Sequence, residues 1–269
     1  MPHGVTWFNF LPGYEALERA MQERAGLSLI NHKAAEIQHV LAAAIVLVIC
    51  IALSLQARMA IARSGDNGLI PEEKPSVRNF LELIAETLFK QMNTVIGPEA
   101  RRYFPVIGAV GMFVFFSNIL GLIPGFAPPT DNWNTTLACG LFIFLYYNFH
   151  GLRKNGFAHI AHMANPMGTT MGWFLAPLMF PIEVISHLAR PLSLSLRLAG
   201  NMIGDHAVLA IFVGLCPLLL PLPFYALGLI VCVVQTLVFC LLSMVYISLA
   251  VQDAHHNDEE AHEAQVHAH

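Results

Sequence analysis

One of the longest apolar stretches of the sequence contains charged and polar residues that could move an ion. Arg197 lies within LSLSLRLAGNMIG, where an ionised side chain is costly and usually marks an ion or substrate pathway. A guanidinium keeps its proton in proteins, so it cannot become neutral to lower that cost. The sequence therefore predicts a fixed cation that needs an anionic partner, water, or both.

The polar residues around Arg197 recur every three or four positions, which places them on one helix face. They are Glu183, Ser186, Arg190, Ser193, Arg197, Asn201 and Asp205. Gly200 and Gly204 lie beside this face and would let another helix approach closely. Two interpretations follow. The stripe is either a buried seam with Arg197 paired to Asp205 or Glu183, or a surface where Arg197 meets a carboxylate of another subunit.

In the second interpretation the stripe divides into two polar half-paths with Arg197 between them. Glu183, Ser186 and His187 would form the cytoplasmic one, and Asn201, Asp205 and His206 the outer one. Several residues keep two readings at this point. Arg190 either joins the cytoplasmic path or extends to the membrane surface, and His206 either titrates or only bonds a backbone carbonyl. Gln235 is expected to be a polar partner of the Arg197 region.

The composition is that of an integral membrane protein. Of 269 residues, 56% are hydrophobic and 12% are charged, against about 25% charged in soluble domains. The net charge of −4 does not favour nucleic acid as a partner. The cysteines lie in apolar segments without metal-ligand spacing, so we expect neither a disulfide framework nor a metal site, and no cofactor.

The apolar runs predict an all-α protein with five membrane spans and one interfacial amphipathic helix. The spans cover about 38–57, 103–124, 134–151, 173–215 and 219–251, and the interfacial helix covers about 76–97. Residues 1–37 are interpreted as an extracytoplasmic amphipathic segment, and 252–269 as a disordered, acidic and histidine-rich cytoplasmic tail. The last two spans exceed a bilayer core of about 30 Å, so we expect them to be strongly tilted.

Basic residues are concentrated in two connections, between the first two spans and after the third. Such loops are usually cytoplasmic. The sequence therefore predicts a multi-pass protein with its N-terminus outside and its C-terminus in the cytoplasm.

Four motifs resemble subunit a of F-type ATP synthases. They are ARPLSLSLRLAGNMIGDH at 189–206, SNILGLIPG at 117–125, FPIEVISH at 180–187 and VVQTLVFCLLSMVYISLA at 233–250. The resemblance implies a non-catalytic, proton-translocating stator subunit in the cell inner membrane. Its partners would be the c-subunit ring, the peripheral-stalk b subunits, other ATP synthase subunits, lipid and protons. The chain contains no GxxxxGK[ST] nucleotide-binding motif, which is consistent with catalysis by partner subunits.

The resemblance assigns roles to individual residues. Arg197 takes the place of the essential stator arginine, Asn201 and Ser193 match its flanking positions, and Glu183 matches the acid of the cytoplasmic half-channel. Gln235 matches the glutamine that faces the arginine. Many family members carry a second outer side chain about seven residues before this glutamine, but here that position is Gly228, and Asp205 is expected to replace it.

A self-contained secondary transporter or channel is the alternative function. Such proteins often contain an inverted repeat. The sequence has no second copy of the LRLAGN pattern, which favours the stator interpretation.

Overall fold

The computed structural model describes residues 14–16, 18–19, 38–64, 77–123, 125–156, 170–215 and 221–266. Six long helices occupy most of these ranges: α1 (Gln38–Ser64), α2 (Val77–Val95), α3 (Ala100–Leu122), α4 (Trp133–Asn155), α5 (Thr170–Leu215) and α6 (Pro221–Val266). A short 3-10 turn, Pro129–Asp131, precedes α4. No strand occurs among the described residues, which confirms the all-α prediction.

Of the six described long helices, four contain a segment that is long and apolar enough to cross a membrane. These segments are Gln38–Ala62, Ala100–Leu122, Pro177–Leu215 and Pro221–Val251. Helix α4 has 23 residues, but its Asn, Thr and His side chains make it less apolar than the other four. A fifth span in α4, the interfacial position of α2 and the tilt of α5 and α6 stay predictions.

Several helices extend beyond the ends that were expected from hydropathy. Helix α1 continues from residue 57 to Ser64, and α6 continues past residue 251 to Val266. The segment expected to be a disordered tail is therefore helical over most of its length. The physical reason is that Ala, Glu, Gln and Arg favour a helix whether or not the segment is apolar, and hydropathy does not report that preference.

Local signals explain the other helix ends. Pro221 opens α6, and proline is favoured in the first helical turn because it lacks an N–H. The Asn132 side chain caps α4 by accepting a hydrogen bond of 3.0 Å from the Asn134 N–H. Gly156, with φ 53°, follows the end of α4, and its N–H donates to the Leu152 carbonyl at 2.8 Å.

The main core lies where α2 to α6 meet. Its largest fully buried side chains include Tyr103, Ile107, Ile143, Tyr147, Leu194, Leu198, Phe239, Met244 and Ile247. Two glycines allow the helices to approach closely: a Cβ on Gly111 would lie 2.7 Å from Cys240 Sγ, and one on Gly140 would lie 2.5 Å from Ser195 Oγ. The scaffold thus holds α5 against α4, and α6 against α3 and α4.

Candidate functional site

Helix α5 has a buried side and an open side along the same few turns. Leu194, Leu198 and Met202 are buried in or beside the core. The open side exposes the following residues at helical spacing: Ser193, Arg197, Gly200, Asn201 and Gly204. Small residues beside Arg197 leave this face free of bulk, which is the arrangement that lets a second helix approach.

Arg197 lies on this open face, and none of the described residues forms an ion pair with it. Among the described residues, no acidic side chain forms an ion pair with its guanidinium, and neither Glu183 nor Asp205 reaches it. Ser193 does not engage it either, because its hydroxyl donates to the Arg190 carbonyl at 3.0 Å. The described residues therefore do not form the buried seam in which Arg197 would be permanently paired to Asp205 or Glu183.

A cleft of about 390 Å³ opens between α5 and α6 on the Leu215 side of Arg197. We call it the Asn201 cleft. It is lined by Gly200, Asn201, Gly204, Asp205, Ile230, Val231, Val234 and Gln235. Asn201 Nδ2 donates to Gln235 Oε1 at 2.7 Å, which joins the two helices at the level of the cleft. The structure thus brings together Asn201, Asp205 and Gln235.

Two polar atoms at this cleft are buried without a described hydrogen-bond partner. They are Asp205 Oδ2 and Gln235 Nε2. Buried polar groups almost always bind protein or water, because leaving one unsatisfied costs about 1 to 3 kcal/mol. The cleft contains the polar side chains of Asn201, Asp205 and Gln235 among apolar residues, and it is large enough for several water molecules. Its chemistry therefore suits a hydrated path for a proton or a small cation.

His206 lies next to the cleft residues in sequence but bonds to a different helix. Its Nε2 lies 3.0 Å from the carbonyl oxygen of Gly121, near the end of α3. Gly228 also meets α3, since a Cβ there would lie 2.7 Å from Leu122 Cδ2. Position 228 therefore packs directly against α3, and the bond of His206 is to a backbone carbonyl.

A second polar group, which we call the Glu183 cluster, lies on the Thr170 side of Arg197. His187 Nε2 is 3.4 Å from Glu183 Oε1, and His187 Nδ1 is 3.5 Å from Tyr147 Oη. The Arg190 guanidinium carbon lies 5.4 Å from the centre of the Tyr246 ring, a distance typical of a cation–π contact. Arg190 is thus held against α6.

Two residues of this cluster were not singled out from the sequence. Tyr147 on α4 is 2% exposed, and its ring centre is 6.0 Å from that of Tyr246 on α6. Both lie in apolar runs where a tyrosine is an ordinary core residue, so only the packing of three helices reveals them. Ser186, in contrast, was predicted to belong here, but its side chain is exposed and no described contact joins it to the cluster.

A family model described as the ATP synthase A chain matches residues 40–248. The chain belongs to that family. It is 41% identical over 261 residues to ATP synthase subunit a of Sorangium cellulosum (strain So ce56), covering 96% of this chain and 100% of that relative. It is 43% identical over 220 residues to ATP synthase subunit a of Bdellovibrio bacteriovorus (strain ATCC 15356 / DSM 50701 / NCIMB 9529 / HD100), covering 82% and 94%.

A third relative is ATP synthase subunit a of Geobacter sulfurreducens (strain ATCC 51573 / DSM 12127 / PCA), 46% identical over 179 residues, or 66% of this chain and 76% of that one. These matches confirm the resemblance stated from the motifs. Family membership and the apolar helices together assign the chain to ATP synthesis and ion transport in a membrane.

Proposed function

We propose that the chain is the proton-translocating stator subunit of the ATP synthase membrane sector. In this role it catalyses no reaction itself. Arg197 faces the rotating c-subunit ring, and two offset aqueous half-channels deliver and remove protons. The observation that carries the proposal is the open face of α5, on which the Arg197 guanidinium is exposed and no carboxylate among the described residues pairs with it.

The spacing along α5 supports two separate half-channels. From Glu183 to Arg197 the helix rises about 21 Å, and from Arg197 to Asp205 it rises about 12 Å, at about 1.5 Å per residue. The Glu183 cluster and the Asn201 cleft therefore lie on opposite sides of the fixed charge. A proton cannot pass directly between them without passing a cation that cannot deprotonate.

A cycle follows from this arrangement. A proton enters the Asn201 cleft and neutralises a ring carboxylate, which lowers the cost of rotating that site into lipid. After nearly a full turn, the site releases its proton near Glu183 and His187, and the resulting anion is attracted to Arg197. Each proton that crosses 100 mV supplies about 2.3 kcal/mol. The energy from several protons per turn adds up to the energy of a nucleotide step that is made elsewhere in the complex.

The surroundings of the subunit belong to the same proposal. The membrane is the cell inner membrane, as the family resemblance implies. The N-terminus is outside and the C-terminus is in the cytoplasm, because the basic residues cluster in two connections and such loops are usually cytoplasmic. Arg101, Arg102, Arg153 and Lys154 lie at the ends of α3 and α4 that share one side of the bundle, where Lys154 Nζ binds Glu99 Oε1 at 2.7 Å. The b subunits and the c-ring are the proposed partners.

Replacing Arg197 by alanine tests the proposal. In inverted vesicles with the assembled complex, we expect Arg197→Ala to reduce ATP-driven proton pumping to the background of vesicles that lack the complex. Arg101→Ala is the matched control, since it removes the same charge from an exposed position on α3. An assembled Arg197→Ala complex that pumps normally would contradict the proposal. Proton flux through the purified chain without a ring would favour the transporter alternative.

A further inference from the structure

The bond between His206 and Gly121 determines which imidazole nitrogen can accept a proton. A carbonyl oxygen only accepts hydrogen bonds, so His206 Nε2, at 3.0 Å, must carry a hydrogen. In the neutral imidazole the other nitrogen, Nδ1, then holds the free lone pair. His206 can therefore gain and lose a proton at Nδ1 while Nε2 stays fixed to α3.

The carbonyl of Gly121 is suited to accept a hydrogen bond from an imidazole. It lies in the last turn of α3, which ends at Leu122. The last four carbonyls of a helix have no intrahelical N–H partner and carry the negative end of the helix dipole. The Gly121 carbonyl can therefore accept a hydrogen bond from His206 Nε2, and this contact fixes the orientation of the imidazole against the end of α3.

Two glycines make this contact possible. A Cβ on Gly121 would lie 2.9 Å from His206 Nε2 and 2.8 Å from Pro128 Cγ, so a side chain there would displace the imidazole. A Cβ on Gly228 would lie 2.7 Å from Leu122 Cδ2. The end of α3 therefore occupies the space that a side chain at position 228 of α6 would fill. The backbone of α3 thus takes the place of a polar side chain at position 228.

We propose that Gly121 is a positioning residue for His206, and that its carbonyl replaces the side-chain partner expected from α6. The carbonyl holds Nε2 and leaves Nδ1 as the nitrogen that can accept a proton. The inference rests on the proposed function, in which His206 belongs to the outer half-channel. It replaces the earlier expectation that Asp205 alone compensates for Gly228.

Other titratable groups near His206 stay constant in the test. Asp205 is its neighbour on α5, the 3-10 turn carries Asp131, and α6 carries Tyr225 and Cys232 near Gly228. The last two turns of α3 contribute no titratable side chain. A substitution at Gly121 therefore changes the contact of His206 without adding or removing a charge.

The experiment measures ATP synthesis by the intact complex in vesicles as the pH of the outer compartment is varied. Without the carbonyl contact, His206 Nδ1 is no longer held in a fixed position for proton transfer. We expect Gly121→Ala to lower the rate of ATP synthesis and to move its pH profile toward that of His206→Gln. Gly108→Ala is the matched control on α3, because its Cβ would meet only Leu88 Cδ2 at 3.8 Å.

Two substitutions of His206 decide the outcome if Gly121→Ala prevents assembly. A glutamine can place its amide nitrogen near the position of Nε2, whereas an asparagine places it near Nδ1. We expect the His206→Asn complex to melt at least about 2 °C below the His206→Gln complex. Equal melting temperatures would overturn the positioning role.

The same variants separate this inference from the proposed function. If His206→Gln synthesises ATP with the normal pH profile, His206 does not belong to the outer half-channel, and the proposed function fails there. If His206→Gln alters the profile but Gly121→Ala behaves like Gly108→Ala, only the role of Gly121 is refuted.

Discussion

The hydrogen bond between Asn201 and Gln235 offers a test that separates function from folding. Gln235 is 3% exposed, its Oε1 accepts from Asn201 Nδ2 at 2.7 Å, and its own Nε2 is buried without a described partner. The substitution Gln235→Leu removes the acceptor and the unsatisfied donor together, and it keeps a side chain of similar volume. Asn201 itself is exposed to the cleft, so water can replace the lost contact.

These facts set different magnitudes for stability and for activity. Replacing a partly unsatisfied buried group by an apolar one of similar shape is nearly neutral, so the free energy of unfolding should change by less than about 1 kcal/mol. A hydrogen bond that orients Asn201 during proton transfer contributes about 0.5 to 1.5 kcal/mol. Its loss should slow pumping by about 2-fold to 13-fold.

The assay is ATP-driven proton pumping by the purified complex in vesicles, with a thermal melt of the same sample. Thr236→Val is the control, because the Thr236 hydroxyl donates within its own helix to the Cys232 carbonyl at 2.8 Å. The double variant Asn201→Ala with Gln235→Leu should pump no more slowly than the slower single variant. Multiplying effects would show that the two residues act separately, and normal pumping by Gln235→Leu would refute the reasoning.

Two further substitutions test the packing that holds the site. Gly140→Ala places a Cβ 2.5 Å from Ser195 Oγ and should destabilise the complex by about 1 to 3 kcal/mol in a thermal melt, whereas Gly204→Ala, with nothing within 4 Å, should not. Tyr246→Leu removes the aromatic ring that Arg190 contacts and should lower the stability of the complex by about 0.5 to 2 kcal/mol. Tyr246→Phe keeps an aromatic ring and should therefore retain most of the stabilisation. Equal melting of the Leu and Phe variants would show that the cation–π contact is not stabilising.

The arrangement along a single helix could be predicted well from sequence. Helical periodicity alone placed Ser193, Arg197 and Asn201 on one face, and the structure exposes all three there. The pairing of Asn201 with Gln235 across two helices was anticipated in kind, since a lone glutamine in an apolar run needs a polar partner. These inferences succeeded because spacing on one helix fixes direction without knowledge of the other helices.

Contacts that depend on three helices could not be predicted in the same way. The sequence allowed His206 to bond a backbone carbonyl, but it did not show that the carbonyl is that of Gly121, because every residue has a carbonyl and the sequence does not show which one is free. The place of Tyr147 in the Glu183 cluster could not be predicted for a related reason, since a tyrosine in an apolar run is usually a core residue. The helical continuation of α6 to Val266 was missed because hydropathy identifies spans and does not locate helix ends.

The distribution of polar groups over α5 supports a division of labour between its two sides. On the side toward α4, Ser195 is fully buried and its hydroxyl bonds the Pro191 carbonyl at 2.6 Å, so the backbone there is tightly held. On the opposite side, the exposed residues one turn from Arg197 on its own helix are uncharged: Ser193, Gly200 and Asn201. A stator charge needs both properties: a rigid backbone fixes its position, and an open side leaves it available to each arriving anion. An arginine already paired within its own chain would have to break that pair at every step of the ring, and its attraction for the arriving carboxylate would be reduced accordingly.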